Sequence, residues 1–255
     1  MNDITIVGNP LLDAFEGLCG PWRDTVGSSS LGWIDSLVRM LDGFGDVNRL
    51  DRHKLSMRYS WAVPTDEALD AIAEWGPIVE VGAGTGYWAH LLEARGVDIV
   101  AYDLNPPGTR KLLPDHVLEQ LPKDKRPPWH SDQRPLFDVQ HGGAPVAALH
   151  PDRTLLLVWP CYNDPMAAIA VENHVAAGGK RLIYVGEGAD GCTGDERFHT
   201  LRGCGCWCLA CHGGYPDADH SQGCGVSALY REVDTVELPN WPGIHDQLYR
   251  YEVIA

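Results

Sequence analysis

The sequence predicts an α/β fold: a doubly wound, mostly parallel seven-stranded sheet that ends in a C-terminal antiparallel hairpin and is preceded by N-terminal helices. Two observations carry this prediction. From residue 78 onward, short apolar runs of strand length alternate with segments of helical pattern, which is typical of a sheet with helices on both faces. Two β-like runs with no helix between them then close the chain, as expected of an antiparallel edge.

The predicted strands are short runs of apolar and β-branched residues. The run over 154–159 is apolar throughout, as a central parallel strand covered on both faces should be. The other strands are predicted over 78–81, 98–103, 136–139, 181–185, 229–238 and 247–254.

The predicted helices are less evenly marked than the strands. The clearest start is at Thr65, which can cap a helix with Asp66 and Glu67 in its first turn. We expect a helical, lid-like segment over 1–64 and a main domain over 65–255, with a Cys/His-rich insert at 203–226. Helices are predicted at about 32–43, 65–75, 87–95, 164–176 and 195–201, with one helical turn near 113–120 and weak patterning over 1–30.

The composition is that of a globular protein and argues against two kinds of partner. Of the 255 residues, 44% are hydrophobic and 22% are charged. The net charge of −15 opposes binding to a phosphate backbone, so nucleic acid is not expected as a substrate. No apolar run reaches the ~20 residues that span a bilayer, and the chain start lacks the basic residues of a signal peptide. We therefore expect no membrane association and a cytoplasmic location.

A glycine-rich loop follows the first predicted strand and opens a helix. Its spacing is Gly82-x-Gly84-x-Gly86, and glycines allow a tight turn and a close approach of a ligand to the backbone. The helix that follows adds free N–H groups at its start. Asp103 ends the next strand, where a carboxylate can accept both hydroxyls of a ribose. This pattern indicates an adenosyl ligand, with another nucleotide or a turn without a ligand as alternatives.

The stretch Glu80-Val81-Gly82-Ala83-Gly84-Thr85-Gly86 resembles motif I of the class I S-adenosylmethionine-dependent methyltransferases, which have a Rossmann-like fold. The resemblance covers about residues 76–190 and the closing hairpin, and it implies an enzyme with S-adenosylmethionine as methyl donor. By position, Glu80 and the loop glycines Gly82, Gly84 and Gly86 would wrap the methionine moiety and the ribose.

The same resemblance implies the other contacts of the donor. Asp103 would hold the ribose hydroxyls and Leu104 would pack on the adenine. For the acid that the family places beside the adenine, the candidates are Asp138 and Gln140. Tyr59, in the aromatic stretch before Pro64, could cover the donor as a lid or fill the N-terminal core.

Acceptor-side residues are expected where the next strands end, because ligands of such sheets lie outside the carboxyl ends of the strands. Trp159-Pro160-Cys161-Tyr162 resembles the Asp/Asn/Ser-Pro-Pro-Tyr/Phe tetrapeptide of amino-methyltransferases, with Trp in place of the polar first residue and Cys in place of the second proline. Trp159 can donate an N–H, and Tyr162 is the best candidate for an acceptor contact through its ring. Asp164 could serve there or cap the following helix.

Two more candidates lie beyond the fifth predicted strand. Glu187 follows that strand, where a carboxylate could orient an acceptor or take its proton, or simply form part of a turn. His245 and Asp246 lie in the loop between the last two strands and could form an acid/base pair or a structural turn.

Five cysteines lie close together in the insert, which in a cytoplasmic protein favours a metal over disulfides. Zinc takes four S or N ligands in a tetrahedron, and His212 and His220 lie nearby. We expect a structural zinc, with free or disulfide-bonded cysteines, or a catalytic zinc, as alternatives. The predicted ligands come from Cys204, Cys206, Cys208, Cys211 and Cys224.

The resemblance specifies the donor and leaves the acceptor open. We expect methyl transfer to an N, O or S atom of a small molecule. The alternatives are a protein or peptide methyltransferase, for which a basic peptide would suit the acidic surface, and a non-catalytic module that binds an adenosyl ligand or zinc.

Overall fold

The strands form one sheet whose order in space differs from their order in the chain. The computed structural model of the protein describes residues 8–23, 49–107, 134–189, 191–203, 229–241 and 243–254. The sheet order is β3-β2-β1-β4-β5-β7-β6. The strands are β1 (Ile78–Val81), β2 (Ile99–Asp103), β3 (Val139–His141), β4 (Thr154–Val158), β5 (Arg181–Gly186), β6 (Tyr230–Glu237) and β7 (Gln247–Val253).

The strand directions confirm the predicted fold. β1 to β5 run parallel to one another. β7 is inserted between β5 and β6 and is antiparallel to both. The doubly wound, mostly parallel sheet with a C-terminal antiparallel hairpin, which is the class I methyltransferase fold, is therefore present.

The helices lie where short caps and apolar spacing allow them. Thr65 caps α3, accepting a hydrogen bond from Ala68 N at 3.1 Å, and Asp195 caps α6 in the same way through Phe198 N at 2.8 Å. Within the described ranges, none of the helices is long and apolar enough to cross a membrane. The helices are α1 (Pro10–Arg23), α2 (Arg49–Arg58), α3 (Asp66–Ala73), α4 (Tyr87–Glu93), α5 (Met166–Ala176) and α6 (Glu196–Leu201), with a 3₁₀ helix at Ala144–Leu149.

Two predictions of secondary structure were wrong. The third strand was expected over 136–139 and instead occupies Val139–His141, because Leu136 donates its backbone N–H to Thr85 O at 2.8 Å and so runs along the glycine loop before entering the sheet. The weakly patterned N-terminus contains α1, whose Leu11, Phe15 and Cys19 recur at helical spacing and are buried. The helix expected at 32–43 and the turn expected near 113–120 lie outside the described residues.

The sheet separates two apolar layers, and alternation along each strand decides which layer a side chain joins. In β1, Ile78 belongs to the layer that contains α1, α3 and α4, whereas Val79 belongs to the layer that contains α5. Glu80 therefore points to the same side as Ile78, towards α4. A carboxylate is thus placed inside an apolar layer directly beneath the glycine loop.

Candidate functional site

The functional candidates gather at one edge of the sheet. The glycine loop, Asp103, Trp159 and Glu187 follow β1, β2, β4 and β5, and the carboxyl ends of parallel strands share an edge. β7 runs the other way, so its first residue, Gln247, pairs with the last residue of β5. This reversal brings the loop that contains His245 to the same edge.

The three glycines of the loop all adopt a left-handed backbone, with φ of 81° at Gly82, 54° at Gly84 and 76° at Gly86. A Cβ on Gly82 would lie 2.8 Å from Met166 Cε, and one on Gly86 would lie 2.6 Å from Phe137 Cβ. A Cβ on Gly84 would meet nothing within 4 Å. The outer glycines are therefore needed for packing as well as for φ, whereas the middle one faces open space.

Asp103 is bound to the glycine loop through its side chain. Its Oδ2 accepts a hydrogen bond from Gly84 N at 2.9 Å, and its Oδ1 accepts one from Asn105 N at 2.7 Å. Each carboxylate oxygen can accept further hydrogen bonds. The next residue, Leu104, is 61% exposed, an unusual amount for a leucine and one that leaves its side chain available to an apolar ligand face.

The position beside the adenine changes with the register of β3. Asp138 precedes the strand and is exposed, and Gln140 lies within it opposite Tyr102. His141 ends the strand and pairs with Asp103, so it is the residue at the rim. Sequence reasoning missed His141 because it placed the strand too early.

Glu80 is a buried carboxyl group with one unpaired oxygen. The side chain is 1% exposed, and Oε2 has no hydrogen-bond partner among the described residues. Burial, together with the negative charge of Asp103, raises the pKa of Glu80 to about 8, although a hydrogen bond from the backbone of Ala89 opposes this. Glu80 is therefore largely protonated at neutral pH in the structure described.

The segment after α2 lies against the glycine loop. Thr85 Oγ1 donates to Tyr59 O, and the rings of Tyr59 and Tyr87 are 5.1 Å apart. One residue further on, Ser60 Oγ accepts the indole N–H of Trp88 at 3.0 Å. Tyr59 thus covers the loop and also joins the N-terminal core, which unites the two interpretations of this residue.

Trp159 adopts a left-handed backbone, with φ of 53°. Its indole Nε1 donates to both carboxylate oxygens of Asp246, at 2.8 and 3.0 Å. Its ring stacks on Trp61 with the centroids 5.0 Å apart and the planes 13° apart. The N–H that sequence reasoning offered to an acceptor is therefore used within the protein.

Glu187 fastens two loops together at the end of β5. Oε2 accepts from Cys192 N at 2.7 Å and Oε1 accepts from His245 N at 2.9 Å. Burial raises the pKa of Glu187, but the hydrogen bonds from Cys192 and His245 outweigh it and the net pKa lies below the usual value. Burial and the neighbouring Glu187 carboxylate raise the pKa of the Cys192 thiol to about 12. Glu187 is therefore an ionised carboxylate and Cys192 a neutral thiol.

Asp246 is buried behind this group. It is 1% exposed, and burial raises its pKa to about 7 while the hydrogen bond from Trp159 opposes the rise. The charge of Arg52, on α2, acts on Asp246 and on Glu187. Asp246 therefore pairs with Trp159 rather than with His245. No sequence signal marked Arg52 as part of this group.

A cavity of about 390 Å³ opens at the ends of β4 and β5. Tyr162 is 63% exposed beside it. Asp164 accepts a hydrogen bond from Met166 N at 2.8 Å, as a residue that caps α5 does. The cavity is lined by Tyr162, Glu187, Gly188, Gly191, Cys192, Gly243 and His245.

The described residues contain no group of three or more His, Cys, Asp or Glu side chains that could hold a metal ion. Cys192 is partly buried beside Glu187. The predicted zinc ligands Cys204, Cys206, Cys208, Cys211 and Cys224 lie outside the described residues.

No protein-family model matches the chain, and no curated protein matches its sequence. Among solved structures, magnesium protoporphyrin IX methyltransferase (ChlM) from Synechocystis PCC 6803 with bound SAM is similar, with 10% identity and a TM-score of 0.41 over 99% of this chain and 100% of that one. The same enzyme with bound SAH gives 12% and 0.40 over 93% and 100%. A mutant of MtNAS gives 13% and 0.39 over 100% and 90%. These are similarities of backbone course alone.

Proposed function

We propose that this protein is an S-adenosylmethionine-dependent methyltransferase that acts on a small-molecule acceptor. The observation that carries the proposal is the coupling of Gly84 to Asp103. The middle glycine of the loop faces open space, and its N–H is held by the carboxylate that ends the next strand. A backbone surface without side chains thus lies beside an acceptor of ribose hydroxyls.

The residues of the loop fit the adenosyl donor in charge as well as in shape. In this proposal Asp103 binds the ribose, Leu104 packs on the adenine and Tyr59 covers the loop. Glu80 contributes a buried oxygen that has no partner within the described residues, and a cationic group of the donor would satisfy it. When bound, the donor supplies the methyl group on a sulfonium.

The acceptor would bind at the cavity beside Tyr162. β4 lies between β1 and β5 in the sheet, and Met166, at the start of α5, approaches Gly82. The loop from Trp159 to Met166 therefore runs from the cavity to the glycine loop. In methyl transfer, rate comes mainly from holding two reactants in line, and a single loop that touches both sites is suited to that task.

The N-terminal segment would act as a lid on this arrangement. Trp61 stacks on Trp159, and Arg52 lies over the Trp61 ring at 5.7 Å. α1 is also held to the main domain, since Phe15 packs edge-on against Trp241 with the centroids 4.9 Å apart. We propose that residues 1–64 cover the sheet edge and limit access of water to the donor.

Titration calorimetry of the purified protein with S-adenosylmethionine and S-adenosylhomocysteine, with NAD as the control ligand, tests the proposal. We expect both adenosyl ligands to bind with micromolar affinity and NAD not to bind. If neither adenosyl ligand binds, the glycine loop is a structural turn and the proposed function is wrong.

A further inference from the structure

The walls of the cavity beside Tyr162 carry an unusual combination of groups. One wall is the Glu187 carboxylate, whose side chain is only 4% exposed. Among the described lining residues, none is a lysine or an arginine. A ligand that enters this cavity therefore meets an anion that water reaches poorly.

The hydrogen bonds of Glu187 keep that anion in place. Each carboxylate oxygen accepts one backbone N–H, from Cys192 and from His245, so the group is held rigidly between two loops. Each oxygen still has capacity for a further hydrogen bond. A fixed, desolvated carboxylate with unused acceptor capacity favours a ligand that donates hydrogen bonds and carries a positive charge.

The positive charge of the protein that is closest in effect does not occupy this cavity. Arg52 acts on Asp246 and Glu187, but its guanidinium lies over the ring of Trp61. It offsets the charge of the buried Asp246, which is not part of the cavity wall. The Glu187 carboxylate is therefore left to a ligand.

The remaining wall is aromatic. Tyr162 presents a ring that is 63% exposed, and the face of such a ring attracts cations. A volume of about 390 Å³ is near the lower end of ligand pockets, which suits one small molecule and not a folded segment.

We propose that this cavity binds a small organic cation, a protonated primary or secondary amine held between the Glu187 carboxylate and the Tyr162 ring. The role of that amine as the methyl acceptor rests on the proposed function, whereas the preference of the cavity for cations does not. The other walls, Gly188, Gly191 and Gly243, leave backbone atoms open to the rest of the molecule.

The test compares pairs of ligands that differ in charge and share a carbon skeleton. Phenethylamine is paired with 3-phenylpropionate, and hexylamine with heptanoate. Each ligand is titrated calorimetrically into the full chain, both alone and saturated with S-adenosylhomocysteine. We expect the amine of a pair to bind about tenfold or more tightly than the carboxylate. Equal affinity within both pairs, tighter binding of the carboxylates, or no binding of either amine at millimolar concentration would overturn the proposal.

Two variants locate the effect. Glu187→Gln should weaken amine binding by about 10- to 100-fold and abolish the preference over the carboxylate, while Glu93→Gln, which removes the same charge from an exposed site on α4, should change neither. If Glu187→Gln does not fold, Tyr162→Ala, at an exposed position, should weaken amine binding by about threefold to tenfold, and Tyr162→Phe should retain it. Unchanged amine affinity in Tyr162→Ala would contradict the proposed site.

These outcomes separate the two proposals. If the amines bind selectively but S-adenosylhomocysteine does not bind, the cation site stands and the proposed function fails. If S-adenosylhomocysteine binds and the amines do not, the donor site stands and the acceptor class proposed for the cavity is wrong.

Discussion

Replacing Glu80 with glutamine should reverse part of the pH dependence of this protein's stability. Glu80 is buried beneath the glycine loop, with its pKa raised from 4.5 to about 8 by burial and by Asp103. The folded protein therefore binds this proton more tightly than the unfolded chain does. Because of that difference, the free energy of unfolding contributed by Glu80 is highest at low pH and falls as the pH rises towards 8.

The size of the effect follows from the width of that window. Between the two pKa values, each pH unit changes the free energy of unfolding by about 1.4 kcal/mol. From about pH 5.5 to about pH 7.5, the wild-type protein should lose roughly 3 kcal/mol through Glu80 alone. Glu80→Gln cannot ionise, so it should lose none of this, although its amide adds a cost that is independent of pH.

Urea unfolding followed by tryptophan fluorescence at the two pH values measures the difference directly. We expect the free energy of unfolding of Glu80→Gln, relative to wild type, to rise by roughly 3 kcal/mol at the higher pH. Glu93→Gln, on the exposed surface of α4, is the matched control and should follow the wild type. If the difference between Glu80→Gln and wild type is the same at both pH values, Glu80 is ionised throughout and the reasoning about its burial is wrong.

Three further predictions concern the loop, the ribose contact and the insert. Gly86→Ala should lower the free energy of unfolding by about 2–4 kcal/mol, because φ is positive and the new Cβ meets Phe137, whereas Gly84→Ala should cost only about 1–2 kcal/mol in urea unfolding; equal costs would contradict the open space at Gly84. Asp103→Ala should weaken S-adenosylmethionine binding by about 1.5–3 kcal/mol in calorimetry, and an unchanged affinity would mean that other groups hold the ribose. Metal analysis of protein prepared without added zinc should give about one zinc per chain; a folded, metal-free protein would show that the cysteines of the insert have another role.

Local sequence was enough for the elements whose physics is local. The φ values of the glycine loop and the caps at Thr65 and Asp195 follow from the residue and its near neighbours, and both caps are present. Capping by Asp164 was one of two interpretations that the sequence left open. The alternation of strands with helices predicted the sheet because burial on both faces imposes apolar runs of that length.

The third strand and α1 show where local reasoning fails. The run over 136–139 is apolar and resembles a strand, but the backbone of Leu136 binds Thr85 in the glycine loop instead of a neighbouring strand. α1 has a polar and an apolar side, yet its helical form depends on burial of Phe15 against Trp241, which lies far away in the chain. Both outcomes depend on contacts that sequence spacing does not encode.

The sequence by itself determined the donor side: a glycine loop after a buried strand, an acid at the end of the next strand, and the order of elements that brings them to one edge. Only the tertiary structure decided the acceptor side. The antiparallel insertion of β7 beside β5 brings His245 to Glu187 across 58 positions of the chain and joins Trp159 to Asp246 across 87. Such pairs form because a folded sheet fixes the distance between loops, whereas the sequence fixes only their separation along the chain.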